Sequence, residues 1–210
     1  MPRRSVAQVD ADRGVTLRAA VDLASVIGLE GLTVGRLADE LGMSKSGLVG
    51  RFGNKRNLQL ATLELAVEMF RATVYEPAIV EPAGRARLVA ICERWIGYLG
   101  EPCFPGGCFL TSASVEFDAR EGPIHDAVRV ALDRWQRVLE AESAIAVASG
   151  ELAPDGDPAD VAFTLNAIAV GTNCDYQLRR DPRALERGRR AMASLLAPAR
   201  HGRRRRATAG

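Results

Sequence analysis

Val15, Ala19, Leu23 and Val26 recur at i, i+4, i+8 and i+11, which predicts one apolar helix face, and Gly28 stands where that helix would end. Thr33 occupies an N-cap position before Arg36, Leu37, Ala38 and Leu41, and Gly42 stops the second helix. Ser44 opens a third helix running to Phe52. Asn54 opens a fourth and longer one reaching Tyr75, ended by Pro77. Beyond it the pattern predicts helices over 84–100, 108–118, 122–149, 157–180 and 182–197. Their breaks are the run from Glu101 to Gly107, the pair Gly122-Pro123, the triplet Pro154-Asp155-Gly156, and Pro182. No stretch alternates with period two. The expected fold class is all-α, with a three-helix N-terminal unit joined by a long helix to a second helical unit.

Composition narrows this little: 47% hydrophobic and 26% charged residues are ordinary for a globular chain. No run of eighteen apolar residues is present and no apolar segment follows the basic start Arg3-Arg4, so a cytoplasmic protein without a membrane span is expected. Charge is more informative. Residues 1–60 carry nine basic against six acidic side chains, residues 61–199 fourteen against twenty, and residues 200–210 five arginines and no acid. A basic front and tail around an acidic body suits a protein that presents one end to a polyanion, although scattered solvated charge produces similar numbers. Four cysteines without a CxxC pair, and only His125 and His201 to add imidazole, give no reason to expect a metal site.

The stretch from Leu32 to Lys55 carries the chemistry. A helix-turn-helix needs a supporting helix, a tight turn holding glycine, and a capped recognition helix. Leu37, Ala38, Leu41, Met43, Leu48 and Phe52 form the expected inner side. Ser44, Lys45, Ser46, Gly47, Val49, Gly50 and Arg51 are left facing outward, and Gly42 to Arg56 contains four basic residues and no acid. Thr33 and Ser44 are placed to donate to phosphate oxygens beside helix-terminal amides, where the dipole also favours anions. Lys55 opposes its own helix dipole, which a bound phosphate would offset. Arg51 and Lys45 are the side chains able to reach guanine edges. Gly47 and Gly50 each weaken a helix by roughly 1 kcal/mol relative to alanine, so close approach of backbone to DNA would explain them. A short amphipathic helix with a solvated basic surface would show the same residues.

Gly31-Leu32-Thr33-Val34, Leu37-Ala38, Leu41-Gly42-Met43-Ser44-Lys45, Leu48, Phe52, Asn54-Lys55 and Leu58 together resemble the signature of the tetracycline-repressor (TetR) family, over roughly residues 13–65. The resemblance implies a DNA-binding unit over 11–71, with the helix-turn-helix proper at about 34–53, and a ligand-sensing and dimerising unit over 72–199. A disordered basic tail over 200–210 would follow. It also implies a non-enzymatic homodimer that represses transcription from a palindromic operator on double-stranded DNA until a small-molecule effector releases it. One departure stands out: the family usually has tyrosine at the position of Val49 and often histidine near Gly50. A backbone contact is thereby lost, for which Arg51 is the candidate substitute.

For the effector, the bulky residues Phe70, Trp95, Tyr98, Phe109, Phe117 and Trp135 on the central helices are candidate pocket walls, although such residues are more often plain core. Asn166, with Asn173 and Asp175 nearby, is a candidate polar contact. Cys108 would begin a helix, where a thiolate is favoured, and the same residue type is commonly a small buried hydrophobe. Helices near 157–180 and 182–197 are the expected dimer interface, with a stripe of Ala162, Leu165, Ala169 and Thr172 that a helix buried within one chain would also show. No cofactor is expected. A thiol enzyme pairing Cys108 with His125, or a scaffold that keeps the helix-turn-helix shape without reading DNA, are the competing classes. Arg3 and Arg4 are candidates for a minor-groove arm, and Arg203 to Arg206 for non-specific DNA affinity.

Overall fold

The computed structural model describes residues 6–101, 103–153 and 156–198, with side chains from Arg13 onward. The candidate arm at Arg3 and Arg4 and the tail over 200–210 lie outside the described residues. Among the described residues there are nine α-helices and no strand. They are α1 (Val6–Ile27), α2 (Val34–Leu41), α3 (Lys45–Phe52), α4 (Lys55–Phe70), α5 (Arg85–Gly100), α6 (Phe109–Phe117), α7 (Pro123–Ala148), α8 (Pro158–Arg179) and α9 (Arg183–Leu195). None is long and apolar enough to cross a membrane.

Local chemistry sets the ends of the first four helices. The side chains of Thr33, Ser44 and Asn54 accept from the amides of Arg36, Gly47 and Asn57, satisfying donors that a helix start leaves orphaned. Gly42 closes α2 in the left-handed region, at φ 59°. The connector departs from the expected uninterrupted helix to Tyr75. After Phe70 it widens into a π-helical turn over Arg71–Tyr75 and a short 3-10 turn over Glu76–Ala78, with Pro77 inside that turn.

The apolar face expected on α1 is misplaced. Val15 and Val26 are exposed, whereas Ala20, Val21 and Ala24 are buried. Leu17, Ala20, Val21 and Ala24 also follow three- and four-residue spacing, and this second stripe is the one that meets α4 and α2. Leu29, Leu32, Leu37, Leu48 and Leu58 complete a small core there.

In the C-terminal part, α7 and α8 pack together, α9 covers α8, and α5 touches all three. The stripe Ala162, Leu165, Ala169 and Thr172 is buried within this single chain. Close approach explains it: a Cβ on Gly188 of α9 would lie 2.3 Å from the Thr172 hydroxyl. It is therefore not the free face of α8, which carries Phe163 and Leu178, 68% and 83% exposed, with Ala167 and Cys174 between them.

A largely buried ion pair pins the start of α5 to α7. Glu142 accepts from Arg87 Nη1 at 2.8 Å through one oxygen and from the Gly84 amide at 2.8 Å through the other. Removing one partner of such a pair leaves the other charge buried and uncompensated. Glu142→Ala is expected to lower unfolding free energy by about 3 kcal/mol, measured by urea titration, while truncating the exposed Arg129–Asp133 pair changes it by less than about 1 kcal/mol.

Candidate nucleic-acid interface and central cavity

The turn between α2 and α3 is closed by Met43 N–H donating to the Ala38 carbonyl at 2.9 Å. Leu48 and Phe52 anchor α3 in the core. Ser44, Lys45, Ser46, Gly47, Val49 and Gly50 are all exposed, so the outward side of α3 is polar or small apart from Val49. The Ser44 hydroxyl accepts from Gly47 N–H at 3.3 Å and from Ser46 at 3.4 Å, which leaves its own hydrogen to donate outward. Nothing lies within 4 Å of a Cβ placed on Gly50, so the chain's own packing does not require glycine there.

The cations expected to face DNA are partly engaged within the chain. Arg51 is half-buried, and its guanidinium donates to Thr16 Oγ1 on α1 at 2.9 Å. Thr33 is half-buried at the start of α2. Lys55 Nζ is held by Glu30 Oε1 at 2.6 Å. That lysine hydrogen bond, above all, holds the Glu30 carboxyl below its ordinary range against the opposing effect of burial. Gln59 supports the same corner by donating to the Leu29 carbonyl at 2.7 Å. Glu30 carried no signal in the sequence, because its partner lies twenty-five positions away.

A cavity of about 550 Å³ opens between α4 and α7, with Leu110 of α6 in its wall. Of the eight candidate ligand residues, only Phe70 and Trp135 line it. Trp95, Tyr98 and Phe109 sit behind them in an edge-to-face aromatic cluster. Phe70 lies 5.8, 5.3 and 4.9 Å from Trp95, Tyr98 and Trp135, and Phe109 lies 6.0 Å from Phe104. Large rings fill the core by packing on one another. The opening is left where smaller side chains face each other, at Val67, Ala127 and Ala131. Phe117 borders a separate shallow depression with His125, and Asn166 is half-buried and lines no cavity found among the described residues.

Cys108 is buried as the N-cap residue of α6 and does not reach the cavity either. Its amide donates to Asn173 Oδ1 at 3.0 Å, so Asn173 is the buried structural amide of α8. Burial, with the neighbouring Cys108 sulfur, keeps the Tyr98 hydroxyl protonated far above its ordinary range. The cavity also carries charge: Glu64, Glu68, Arg71 and Arg134 line it, and Arg71 is paired with Glu76 at 2.8 Å. No group of three potential metal ligands occurs among the described residues.

Solved structures share this architecture. A transcriptional regulator from Chloroflexus aurantiacus aligns with a TM-score of 0.77 at 21% identity, over 88% of this chain and 93% of its own. One from Cytophaga hutchinsonii aligns at 0.79 and 17%, over 94% and 100%. AibR, solved in complex with isovaleryl coenzyme A and operator DNA, aligns at 0.71 and 20%, over 88% and 98%. No curated protein sequence matches the chain. Two family profiles do. The one for bacterial regulatory proteins of the tetR family matches residues 17–62, and the one for the tetracyclin repressor-like C-terminal domain matches residues 84–192. With these matches across both parts of the fold, the chain belongs to the tetracycline-repressor family of DNA-binding, non-enzymatic transcriptional regulators.

Proposed function

We propose that this protein is a homodimeric, cytoplasmic repressor that holds a palindromic operator with two copies of α3 and releases it when a largely apolar small molecule enters the α4–α7 cavity. The observation that carries this reading is the coexistence of an outward surface on α3 and an open cavity lined by α4, the helix that follows α3 and packs against it. Residues 11–71 then act as the DNA-binding unit and 72–199 as the sensing and dimerising unit, with α4 belonging to both.

The DNA contacts proposed are Ser44, Lys45, Ser46 and Gly47 at the start of α3, Val49 and Gly50 along it, and Thr33 and Lys55 at the starts of α2 and α4. For Lys55 to reach a phosphate it must leave Glu30. Both side chains are about 40% exposed, at 39% and 40%, and exposed pairs of this kind contribute little, so the exchange is cheap. Arg51 reads a base edge only if it gives up Thr16, and otherwise serves to orient α3. AibR's two ligands, an acyl-coenzyme A and operator DNA, support an effector with an apolar portion. The cavity volume suits a drug-sized molecule.

The dimer surface proposed is the outer face of α8, not the stripe buried beneath it. Phe163, Ala167, Cys174 and Leu178 recur at helical spacing on that face, and large exposed side chains there are what a second copy would cover.

Three outcomes follow. DNA enriched from a random pool on the wild-type protein should bind Lys45→Ala or Lys55→Ala more weakly at every sequence, with the salt slope reduced by about one phosphate's worth in fluorescence anisotropy. Equal slopes would remove these residues from the interface. Phe163→Glu with Leu178→Glu should yield a monomer by analytical ultracentrifugation. Finally, anilinonaphthalene sulfonate should bind the wild-type cavity with increased fluorescence, and Ala131→Trp should abolish that signal without lowering the melting temperature by more than a few degrees.

A further inference from the structure

We infer that Glu116 is a positioning residue for operator recognition, clamping the DNA-binding unit to the body at a fixed angle. The side chain lies near the end of α6, yet its partners are backbone amides beyond α1. Oε2 accepts from Leu29 N–H at 2.7 Å and Oε1 from Glu30 N–H at 3.1 Å. Charge-assisted bonds of this kind are stronger than neutral ones, and two on one carboxylate define an orientation as well as a distance. Gly28 is shaped for the contact. It turns the chain at φ 81°, and a Cβ there would lie 2.5 Å from Glu116 Oε1.

The clamped turn is the one that manages Lys55. The Glu30 amide donates to Glu116 while the Glu30 carboxylate holds Lys55 Nζ at 2.6 Å. Arg120, just past α6, approaches the same carboxylate at 3.9 Å. A second tie reinforces the first: Arg18 donates to the Cys103 carbonyl at 2.6 Å and the Gly106 amide donates to Ser25 Oγ at 3.0 Å. The helix that bears Glu116 also carries Leu110 into the cavity wall. An α-helix rises about 1.5 Å per residue and moves as a unit, so the wall and the clamp are ends of one rigid piece.

This inference rests on the reading of the protein as a dimer on a two-half operator. A dimer gains from the second half-site only if both DNA-binding units hold a set spacing, whereas a single unit binds a half-site whatever its angle to the body. In Glu116→Gln one amide N–H would face the new side-chain NH₂ in place of an oxygen, and Glu116→Asp withdraws the carboxylate by one methylene. The test measures full-length wild type, Glu116→Gln and Glu116→Asp against an enriched palindromic duplex and the same duplex with one half scrambled. Hydrogen exchange is followed at the Leu29 and Glu30 amides.

Glu116→Gln should lose roughly tenfold in affinity for the palindrome, keep its half-site affinity, lower the melting temperature by no more than a few degrees, and exchange faster at those two amides. Glu116→Asp should fall between Gln and wild type. Unchanged palindrome affinity in Glu116→Gln, full activity in Glu116→Asp, or an equal loss on both duplexes would each overturn the positioning role. Wild-type protein that binds both duplexes equally would remove the dimeric reading, and this inference with it.

Discussion

The helix α4 is the constraint on which the rest of the molecule depends. Its buried side is continuous, from Leu58 through Thr62, Leu63 and Ala66 to Phe70, and it packs on α1 and α3 as well as on α6 and α7. The first turns pack under α1, with Lys55 and Gln59 tied to Glu30 and Leu29. The last turn seats Phe70 among Trp95, Tyr98 and Trp135. A helix of sixteen residues is about 24 Å long and stiff, so side-chain packing around the cavity and the placement of α3 are not independent of each other.

Burial decides what each charged contact in this frame is worth. Glu142 and Arg87 lie inside, and the pair holds only because a backbone amide and a guanidinium together satisfy the carboxylate. Glu30 and Lys55 lie near the surface, where solvent screens the attraction and a phosphate is a comparable partner. The same residue types therefore serve a permanent structural role in the body and an exchangeable one in the DNA-binding unit. Glu116 stands between these cases, with both oxygens committed to backbone donors across the junction.

Local features were legible along the chain. Thr33, Ser44 and Asn54 announce helix starts through their own hydroxyl or amide oxygens, and Gly42 announces a stop through its positive φ. The outward surface of α3 was readable for the same reason, since eight residues pinned by Leu48 and Phe52 have one side left over. Features that depend on which of two stripes meets a neighbour were not. Val15 and Val26 fit the helical period as well as Ala20 and Ala24 do, and periodicity alone does not choose between overlapping faces. On α8 the small residues went inward against α9 while Phe163 and Leu178 stayed outside, the reverse of the expectation that the small stripe would be the contact between copies.

The helix-turn-helix, its caps and the family it belongs to were thus determined by the sequence itself, because each rests on residues within a few positions of one another. The tertiary structure alone decided that Lys55 is held by Glu30, that Arg51 is tethered to Thr16, and that the cavity is walled by Val67, Ala127 and Ala131 beside Phe70 and Trp135. It also brought Glu116 to amides eighty-six and eighty-seven positions earlier. Such pairings depend on how whole helices pack, and volume and shape across the core set that packing without a trace in local spacing.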